Sequence, residues 1–221
     1  MIDKTFNEKL NYLNSKIKES LAKAGVKQHI EGNLFYEPRF PLNENLDPNS
    51  NQKRLRLRDA VQGKKTMFEI GINGGHSSFL ALISNEELVV HANDLAQHYS
   101  DFYPNIYVPA ACEALQELFP GRFKYIFGDC VEAVPAYIKN NPELQFDIVH
   151  IDGNKDVYTT DFYNLKPALT KDATVIFDDL NLSRVKAQID KLIQDKEVAP
   201  IDKFPRHTNE RYANDILRVC L

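Results

Sequence analysis

The stretch 66-TMFEIGINGGHSSFLALI-83 decides the fold of this protein. Its first apolar run contains Glu69 and leads into a glycine-rich turn, after which apolar residues recur at helical spacing. A strand, a tight turn and a helix in this order indicate a parallel sheet, with the turn at the carboxyl edge of a strand. Because glycines let the backbone approach a ligand closely, we expect the turn to bind a nucleotide-like molecule.

Beyond this stretch, short apolar runs alternate with segments that have helical spacing. The expected strands are 66–71, 87–93, 122–127, 145–151 and 173–178, and the expected helices are 75–84, 104–118, 130–140, 156–169 and 182–196. This alternation predicts an α/β fold that is Rossmann-like and doubly wound around a mostly parallel sheet. Two final strands, 198–204 and 212–220, follow each other without a helix between them. They complete a seven-stranded sheet with a reversed terminal hairpin strand.

The first 65 residues form an N-terminal helical extension to the domain expected at 66–221. Residues 4–23 carry apolar side chains at the spacing of an amphipathic helix. Residues 25–53 contain several prolines and asparagines and are expected to be irregular, whereas 54–62 is expected to be a short helix or a connector. We expect the extension to act as a lid over the site or as the contact of a homodimer.

The composition excludes several classes of protein. The 221 residues are 43% hydrophobic and 26% charged, with a formal net charge of −4, which disfavours nucleic acid as a partner. No apolar run approaches the ~20 residues that span a bilayer, and the start MIDKTFNEKL lacks the apolar segment of a signal peptide. Cys112, Cys130 and Cys220 are far apart in the sequence and form no CxxC motif. We therefore expect reduced thiols and a cytoplasmic protein without membrane attachment.

The glycine-rich turn does not match the common phosphate-binding motifs. A dinucleotide motif G-x-G-x-x-G counted from Gly71 would need glycines where the chain has Asn73 and His76. A P-loop would need G-K-[ST], which does not follow. NAD is therefore disfavoured, and a non-catalytic or NAD-binding protein of Rossmann-like fold is kept as an alternative.

Acidic residues accompany the first three expected strands. Glu69 precedes the turn, Asp94 ends the second strand, and Asp129 follows the third in 127-FGDC-130. Because the carboxyl ends of parallel strands meet at one edge, we expect Asp94 to bind both ribose hydroxyls and Asp129 to meet an adenine amino group. S-adenosylmethionine (SAM) has ribose and adenine but no phosphate, and its positive sulfonium is favoured by acidic surroundings.

With these features the sequence resembles the class I SAM-dependent methyltransferases over about residues 66–221. The motifs that carry the resemblance are 69-EIGINGGHSS-78, Asp94, 128-GD-129, 151-IDG-153, 178-DD-179 and the terminal hairpin. The resemblance implies a SAM pocket lined by Glu69, Gly71, Asn73, Gly75, Ser77, Asp94 and Asp129, with Cys130 beside Asp129.

A second acidic cluster is expected where the fourth and fifth strands end. Asp152 follows the fourth strand in 151-IDGNKDVY-158, and Asp178 and Asp179 follow the fifth. Neighbouring strands lie about 4.8 Å apart, so the three carboxylates converge and repel one another. A divalent cation would relieve the repulsion, and oxygen ligands favour Mg²⁺, Mn²⁺ or Ca²⁺ over zinc. The alternative is that these acids cap helices or bind SAM without a metal.

The pattern IDGxK followed by DD resembles the metal-dependent catechol and sugar O-methyltransferases of this family. The resemblance implies a Mg²⁺ ion held by Asp152, Asp178 and Asp179 that binds two neighbouring hydroxyls of the acceptor. Lys155 falls where the catechol branch has its catalytic lysine, and a pKa lowered by metal and burial would let it take the hydroxyl proton. The sugar branch has a further acid at the position of Asn154, and this chain does not.

The expected function is therefore Mg²⁺-dependent methyl transfer from SAM to a hydroxyl of a small diol, sugar or catechol-like, with Lys155 and Asp152 as catalytic residues. A metal-independent methyltransferase acting on another small molecule is the alternative. Loops at the same edge, 36–40, 97–105 and 205–211, are expected to surround the acceptor. The expected acceptor contacts are Asn181, His98, Tyr103, Arg206 and His207.

Three histidines are not expected to do chemistry. His91 and His150 lie inside expected strands and are interpreted as hydrogen-bonded core residues. His76 lies in the turn, where we expect it to contact the start of the following helix.

Overall fold

The computed structural model of the chain describes residues 4–32, 34–36, 42, 46–97, 102–206 and 213–220. The strands of its sheet are β1 (Thr66–Ile70), β2 (Val89–Asp94), β3 (Phe123–Phe127), β4 (Phe146–Ile151), β5 (Leu169–Phe177), β6 (Val198–Pro200) and β7 (Asp215–Val219). Their order across the sheet is β3-β2-β1-β4-β5-β7-β6. The first five strands are parallel, whereas β7 runs antiparallel to β5 and β6. The predicted Rossmann-like α/β fold with a reversed terminal strand is thereby confirmed.

Helices cover both faces of this sheet. They are α1 (Lys4–Lys23), α2 (Asn51–Ala60), α3 (His76–Ser84), α4 (Pro104–Leu118), α5 (Cys130–Asn140), α6 (Tyr158–Leu165) and α7 (Ser183–Gln194). Short 3-10 helices lie at Pro48–Ser50 and Lys166–Ala168. In the described part of the chain, no helix combines the length and the apolar character needed to cross a bilayer.

Several predicted elements have bounds that differ from those expected. The helix expected at 156–169 is shorter, because α6 ends at Leu165 and Pro167 lies in the 3-10 turn that follows. Proline has no backbone N–H, and its ring excludes the carbonyl one turn before it, so the α-helix ends there. As a result, β5 begins at Leu169, four residues before the predicted start at 173. The terminal hairpin is also shorter than predicted, since β6 ends at Pro200.

The helix α1 packs into the hydrophobic core on the face of the sheet that α3 and α4 cover. Its side chains Leu13, Ile17 and Leu21 are fully buried, and the ring of Phe6 lies 5.3 Å from that of Phe79 in α3. Burying one such side chain contributes about 2 kcal/mol to stability. The amphipathic pattern therefore makes α1 part of the main core, and a role of the extension as lid or dimer contact stays a prediction.

The loops after the five parallel strands meet at one edge of the sheet. Backbone hydrogen bonds continue past the strand ends, since Gly71 N donates to Asn93 O at 2.8 Å and Asp178 N donates to Ile151 O at 3.1 Å. The strand order reverses between β1 and β4. Ligands of open α/β sheets bind outside the carboxyl ends of the strands at such a reversal.

Candidate cofactor and acceptor site

A cavity of about 640 Å³ opens at this edge, within the ~300–1,000 Å³ typical of small-molecule sites. One end, which we term the turn end, is lined by the glycine-rich turn, Asp94 and Asp129. The other, which we term the acid end, is lined by Asp152, Lys155, Asp178 and Asp179. The extension contributes to the wall through Glu31, Gly32, Leu34, Lys53 and Leu57.

The backbone of the turn requires glycine at two positions. Gly71 has φ +93°, and a Cβ there would lie 2.6 Å from the backbone oxygen of Asp152. Gly75 has φ +71°, and a Cβ there would lie 2.7 Å from Leu115 Cδ1. Gly75 is also the N-cap of α3, so the helix begins directly behind the turn. This stretch thus forms a tight loop whose backbone is open to a ligand.

Asp94 holds the turn from the end of β2. Its Oδ2 accepts the backbone N–H groups of Ile72 and Asn73, both at 2.8 Å, and its Oδ1 accepts that of Ala96 at 2.7 Å. Charge-assisted hydrogen bonds are roughly twice as strong as neutral ones. Asp94 therefore shapes the loop, and a lone pair of Oδ1 is left for a ligand hydroxyl.

Glu69 is not one of the described residues that line the cavity. Its carboxylate accepts hydrogen bonds from Ser77 Oγ at 2.5 Å and from Ser78 Oγ, and it contacts His150 Nδ1 at 2.9 Å. Gly75 likewise lies behind the lining, whereas Ser77 is part of it. Direct contact of Glu69 or Gly75 with the cofactor stays a prediction. In the structure, the hydrogen bonds of Glu69 orient the serines at the end of the turn.

Asp129 and Cys130 line the cavity where β3 leads into α5. Asp129 caps the helix, because its Oδ1 accepts the N–H of Val131 at 2.9 Å. Burial raises the pKa of the Cys130 thiol above its ordinary value, so the thiol stays protonated at neutral pH. Both residues line the turn end of the cavity, and their contact with the adenine stays a prediction.

The three acids predicted after β4 and β5 do converge at the acid end. Lys155 Nζ lies 2.6 Å from Asp152 Oδ1 and 2.8 Å from Asp179 Oδ2, and it donates to the Tyr158 hydroxyl at 3.1 Å. Burial raises the pKa of Asp152 to about 6 against the opposing charge of Lys155. One ammonium group thus bridges two of the three carboxylates.

The third carboxylate, that of Asp178, is paired from another part of the chain. Lys53 of α2 forms an ion pair with Asp178 Oδ2. The Asp178 side chain is 1% exposed and that of Lys53 is 17% exposed, so this is a largely buried pair. Asp178 Oδ1 accepts the backbone N–H of Asp179 at 2.9 Å.

Both lysines at the acid end carry their protons. Burial alone would lower the pKa of Lys155, but the charges of Asp152 and Asp179 raise it above its ordinary value. Burial also opposes protonation of Lys53, whose pKa is nevertheless raised by Asp178 and Asp152. A protonated lysine does not accept a hydroxyl proton. In the absence of a metal ion the neighbouring carboxylates hold the pKa of Lys155 above its ordinary value, and its lowering by a bound metal ion stays a prediction.

His150 of β4 lies between the two ends. Its Nδ1 is 2.9 Å from Glu69 Oε1, and its Nε2 is 3.6 Å from Asp178 Oδ2. Burial alone would lower the pKa of His150, but hydrogen bonds with Asp178 and Glu69 raise it to about 10. Burial would raise the pKa of Asp178, but Lys53 and His150 hold it below its usual range. His150 is the paired core residue that the sequence predicts, and it also carries a positive charge.

The acid end offers donors that suit a hard divalent cation. Among the described residues, His150, Asp152 and Asp178 each place one donor atom within 4.8 Å of the others. All three predicted ligands are, however, already paired with lysine ammonium groups. Removing one partner of a buried ion pair costs about 3–5 kcal/mol. The arrangement does not fit an additional divalent ion, and the Mg²⁺ site stays a prediction of the sequence.

The predicted acceptor contacts do not assemble at the cavity. Tyr103 is exposed at the start of α4, and Asn181 is exposed in the turn before α7. Arg206 donates to two aspartates, of α7 and β7, each at 2.7 Å. None of these three described residues lines the cavity. The other two predicted contacts, His98 and His207, lie outside the described residues.

The extension supplies walls of the cavity that reasoning from the sequence missed. Lys53, Leu34 and Leu57 line it from one side, and Asn214 lines it from the chain end. The two sides are joined by Arg56, whose Nε donates to Asn214 Oδ1 at 2.8 Å. No local sequence pattern predicts these contacts, because they join segments that are distant along the chain.

The two other histidines that were expected to do no chemistry, His91 and His76, have partners in the core. His91 Nδ1 lies 2.7 Å from the Tyr137 hydroxyl. His76 Nε2 lies 2.9 Å from Asn14 Oδ1 of α1, so its predicted contact with the helix start is replaced by one with the extension. Burial lowers the pKa of His76 to about 3, which keeps the ring neutral.

The sequence matches a family model described as a methyltransferase domain over residues 68–180. This range covers just over half of the 221 residues and runs from β1 past β5. It includes the turn, Asp94, Asp129 and the three acids of the acid end. Among curated proteins, no sequence matches this chain.

Solved structures share the fold at low sequence identity. An O-methyltransferase from Bacillus cereus in complex with SAH is 16% identical, with a TM-score of 0.61 over 94% of this chain and 91% of that chain. TomG from Streptomyces achromogenes, an O-methyltransferase of tomaymycin synthesis in complex with SAM, is 15% identical, with a TM-score of 0.62 over 94% and 88%. The calicheamicin enzyme CalS11, a TDP-rhamnose 3'-O-methyltransferase, is 18% identical, with a TM-score of 0.55 over 78% and 80%. Fold and family match agree, and the chain belongs to the class I SAM-dependent methyltransferases.

Proposed function

We propose that the protein transfers the methyl group of SAM to a hydroxyl oxygen of a small acceptor, a sugar or a catechol-like diol. The observation that carries this proposal is that one cavity joins the glycine-rich turn to the lysine and acid cluster. A cofactor bound at the turn would direct its methyl group toward the acid end. The O-methyltransferases of similar fold support oxygen as the acceptor atom.

The turn end suits the cofactor because its open backbone and its acids match the groups of SAM. The backbone at Gly71 lets a ligand approach closely, and Asp94 lies at the end of β2, where an acid binds ribose hydroxyls. Asp129 and Cys130 line the same end of the cavity, which supports an adenine contact there. Direct contacts of Gly71, Asn73, Ser77, Asp94, Asp129 and Cys130 with SAM are part of the proposal.

The acid end suits a hydroxyl because it offers both cations and carboxylates. Methyl transfer is an in-line displacement in which the oxygen–carbon bond forms while the sulfur–carbon bond breaks, so alignment and exclusion of water dominate the rate. We assign to Lys155 the binding of the attacking oxygen through its ammonium. Asp152, which lines the cavity beside Lys155, is then the carboxylate that receives the hydroxyl proton.

A divalent metal ion, if bound here, would acidify the acceptor hydroxyl. The lysine partners of Asp152, Asp178 and Asp179 favour the metal-independent form of the reaction, and the Mg²⁺-dependent form is the second candidate. We infer a cytoplasmic location from the free thiols of all three cysteines. A homodimer remains a proposal that rests on the sequence.

Calorimetric titration tests the cofactor, with SAM and NAD as competing ligands. We expect SAM to bind in the micromolar range and NAD not to compete. Binding of NAD without binding of SAM would contradict the proposal.

Transfer of a labelled methyl group to a panel of catechols and sugars tests the acceptor. We expect Lys155→Met to lower the rate by about 100-fold or more, because it removes the cation beside the attacking oxygen. Lys191→Met is the matched control, since Lys191 is exposed and pairs with Asp195. Methylation of a nitrogen or sulfur nucleophile with no transfer to any hydroxyl would contradict the choice of acceptor atom.

A further inference from the structure

Lys53 reaches the acid end from outside the range that matches the methyltransferase family. It belongs to α2, whereas the family match begins at residue 68. Its ammonium pairs with Asp178 and is also attracted by Asp152 and Asp179. These are the three acids that the sequence assigns to a metal ion. The positive charge of Lys53 therefore acts where the charge of that ion is expected.

The position of Lys53 is fixed by its neighbours in α2. Arg54 donates to the carbonyl oxygens of Leu34 at 3.1 Å and Asp47 at 3.0 Å. Arg56 donates to Pro205 O at 2.7 Å and to the side chain of Asn214. These bonds hold α2 to earlier residues of the extension on one side and to the chain end on the other. Lys53 directly precedes Arg54, so the same contacts hold it at the wall of the cavity.

Each of the three carboxylates is already paired with a cation of the protein. Asp178 Oδ2 faces both Lys53 and His150, while Asp152 and Asp179 share Lys155. A divalent ion that binds Asp178 must displace the buried ammonium of Lys53 and leave that charge unpaired. An unpaired buried charge costs more free energy than an exposed one, so displacement is unfavourable.

We propose that Lys53 is the resident cation of the acceptor site, where its ammonium, together with that of Lys155, takes the place of a divalent metal ion. The acceptor hydroxyl is then held by ammonium groups, and methyl transfer is metal-independent. Its oxygen forms a bond to the methyl carbon, the sulfur–carbon bond of SAM breaks to leave the neutral thioether SAH, and the hydroxyl proton passes to Asp152 and on to water. The catalytic part rests on the proposed function, whereas occupancy of the acid end by Lys53 does not.

Titration with Mn²⁺, followed through the paramagnetic resonance signal of the free ion, tests the occupancy without SAM or acceptor. The chain is first stripped of metals, and wild type, Lys53→Met and Lys191→Met are compared. We expect weak binding to wild type and to the Lys191 variant, and at least about tenfold tighter binding to Lys53→Met, whose Asp178 is released. A smaller gain overturns the proposal, as does a wild-type dissociation constant below about 0.1 mM. The wild-type result stands even if Lys53→Met fails to fold, which a thermal melt of each variant checks.

A second measurement separates this proposal from the proposed function. SAM binding is determined on the same samples, and its absence in wild type would refute the proposed function while leaving the Mn²⁺ result valid. With an acceptor from the panel, the wild-type rate is compared in EDTA and in Mg²⁺. We expect equal rates within about twofold. Loss of the rate in EDTA would overturn the metal-independent step.

Discussion

The two ends of the cavity are built by different means. The turn end is shaped by the backbone, through two glycines with positive φ and the amide groups that Asp94 accepts. The acid end is shaped by ion pairs between side chains from distant parts of the chain, above all Lys53 with Asp178. The first depends on a few adjacent residues, and the second on how the whole chain packs.

Two buried histidines, His76 and His150, differ in their state of protonation. His76 at the turn end is neutral, because burial lowers its pKa to about 3. His150, which lies between the two ends and faces Asp178, is charged, because Asp178 and Glu69 outweigh burial and raise its pKa to about 10. The buried histidine beside the turn is therefore uncharged, whereas the one that faces Asp178 belongs to a cluster of paired charges.

The largest expected effect tests the backbone of the turn end. Gly71→Ala places a Cβ 2.6 Å from the Asp152 oxygen in a left-handed conformation, so we expect SAM affinity to fall by more than about 100-fold. Gly63→Ala is the control, because Gly63 has a similar φ of +71° with no atom within 4 Å of the added Cβ. The control should lose about 1–2 kcal/mol of stability and keep its SAM affinity. Calorimetry on both variants decides, and unchanged SAM binding by Gly71→Ala would show that the turn does not hold the cofactor.

The charge at the acid end is tested with His150→Gln. We expect the free energy of unfolding to drop by about 3 kcal/mol near neutral pH, because Glu69 and Asp178 lose the cation between them. The raised pKa of His150 gives stability that is complete below about pH 6.5 and is lost as the pH rises toward 10. The difference from wild type should therefore shrink in alkali. Urea unfolding at several pH values measures it, and a constant difference would argue against a charged His150.

For the neutral His76 we expect the opposite dependence of stability on pH. The lowered pKa of His76 gives stability that is present above about pH 6.5 and is lost as the pH falls toward 3. Any advantage of wild type over His76→Gln should thus shrink in acid, by up to about 1.4 kcal/mol per pH unit. The same urea series measures both variants. If both histidines gave the same pH dependence, the contrast between the two ends would be lost.

A smaller effect is expected for Asp94→Asn. The new amide group would face the N–H groups of Ile72 and Asn73 or of Ala96, so the loop loses acceptors, and SAM affinity should fall about tenfold to 100-fold. Asp147→Asn is the matched control, since Asp147 Oδ2 also accepts two backbone N–H groups, those of Lys65 at 2.8 Å and Thr66 at 3.2 Å, and Asp147 does not line the cavity. We expect the control to change SAM affinity less than about threefold. Equal losses in both variants would mean that Asp94 does not act through the turn.

The smallest effect is expected for metal removal. SAM affinity should differ by less than about twofold between EDTA and Mg²⁺, because the turn end takes its contacts from backbone and Asp94 and not from the acid end. Calorimetry under both conditions measures this. A change of about tenfold or more would show that the two ends are coupled through a metal.

The sequence predicts those features whose conformation is determined by residues that are close to one another along the chain. The stretch from Glu69 to Ser77 shows its strand, turn and helix start directly, and α5 begins and ends at the predicted residues 130 and 140. The convergence of Asp152 with Asp178 and Asp179 follows equally well, since strand ends in a parallel sheet share an edge.

What the sequence does not reveal is the partner of each charge. Three acids at a strand edge predict repulsion and hence a metal ion, but the fold brings Lys53 to Asp178 and Lys155 between Asp152 and Asp179. Lys53 stands in the polar run 51-NQKRLRLR-58, where nothing distinguishes it from a surface lysine. Its position is set by the packing of α2, which is a property of the tertiary structure.

The wall supplied by the extension has a consequence for how such enzymes diversify. Leu34, Lys53 and Leu57 lie before the family match, while the turn and Asp94 lie within it. If the turn binds the cofactor as proposed, substitutions in the extension alter the rest of the cavity without changing that turn. Selection can therefore change the substrate in one segment while it preserves methyl donation in the other. A graft of residues 30–57 between relatives is the corresponding route for an engineer who seeks a new acceptor.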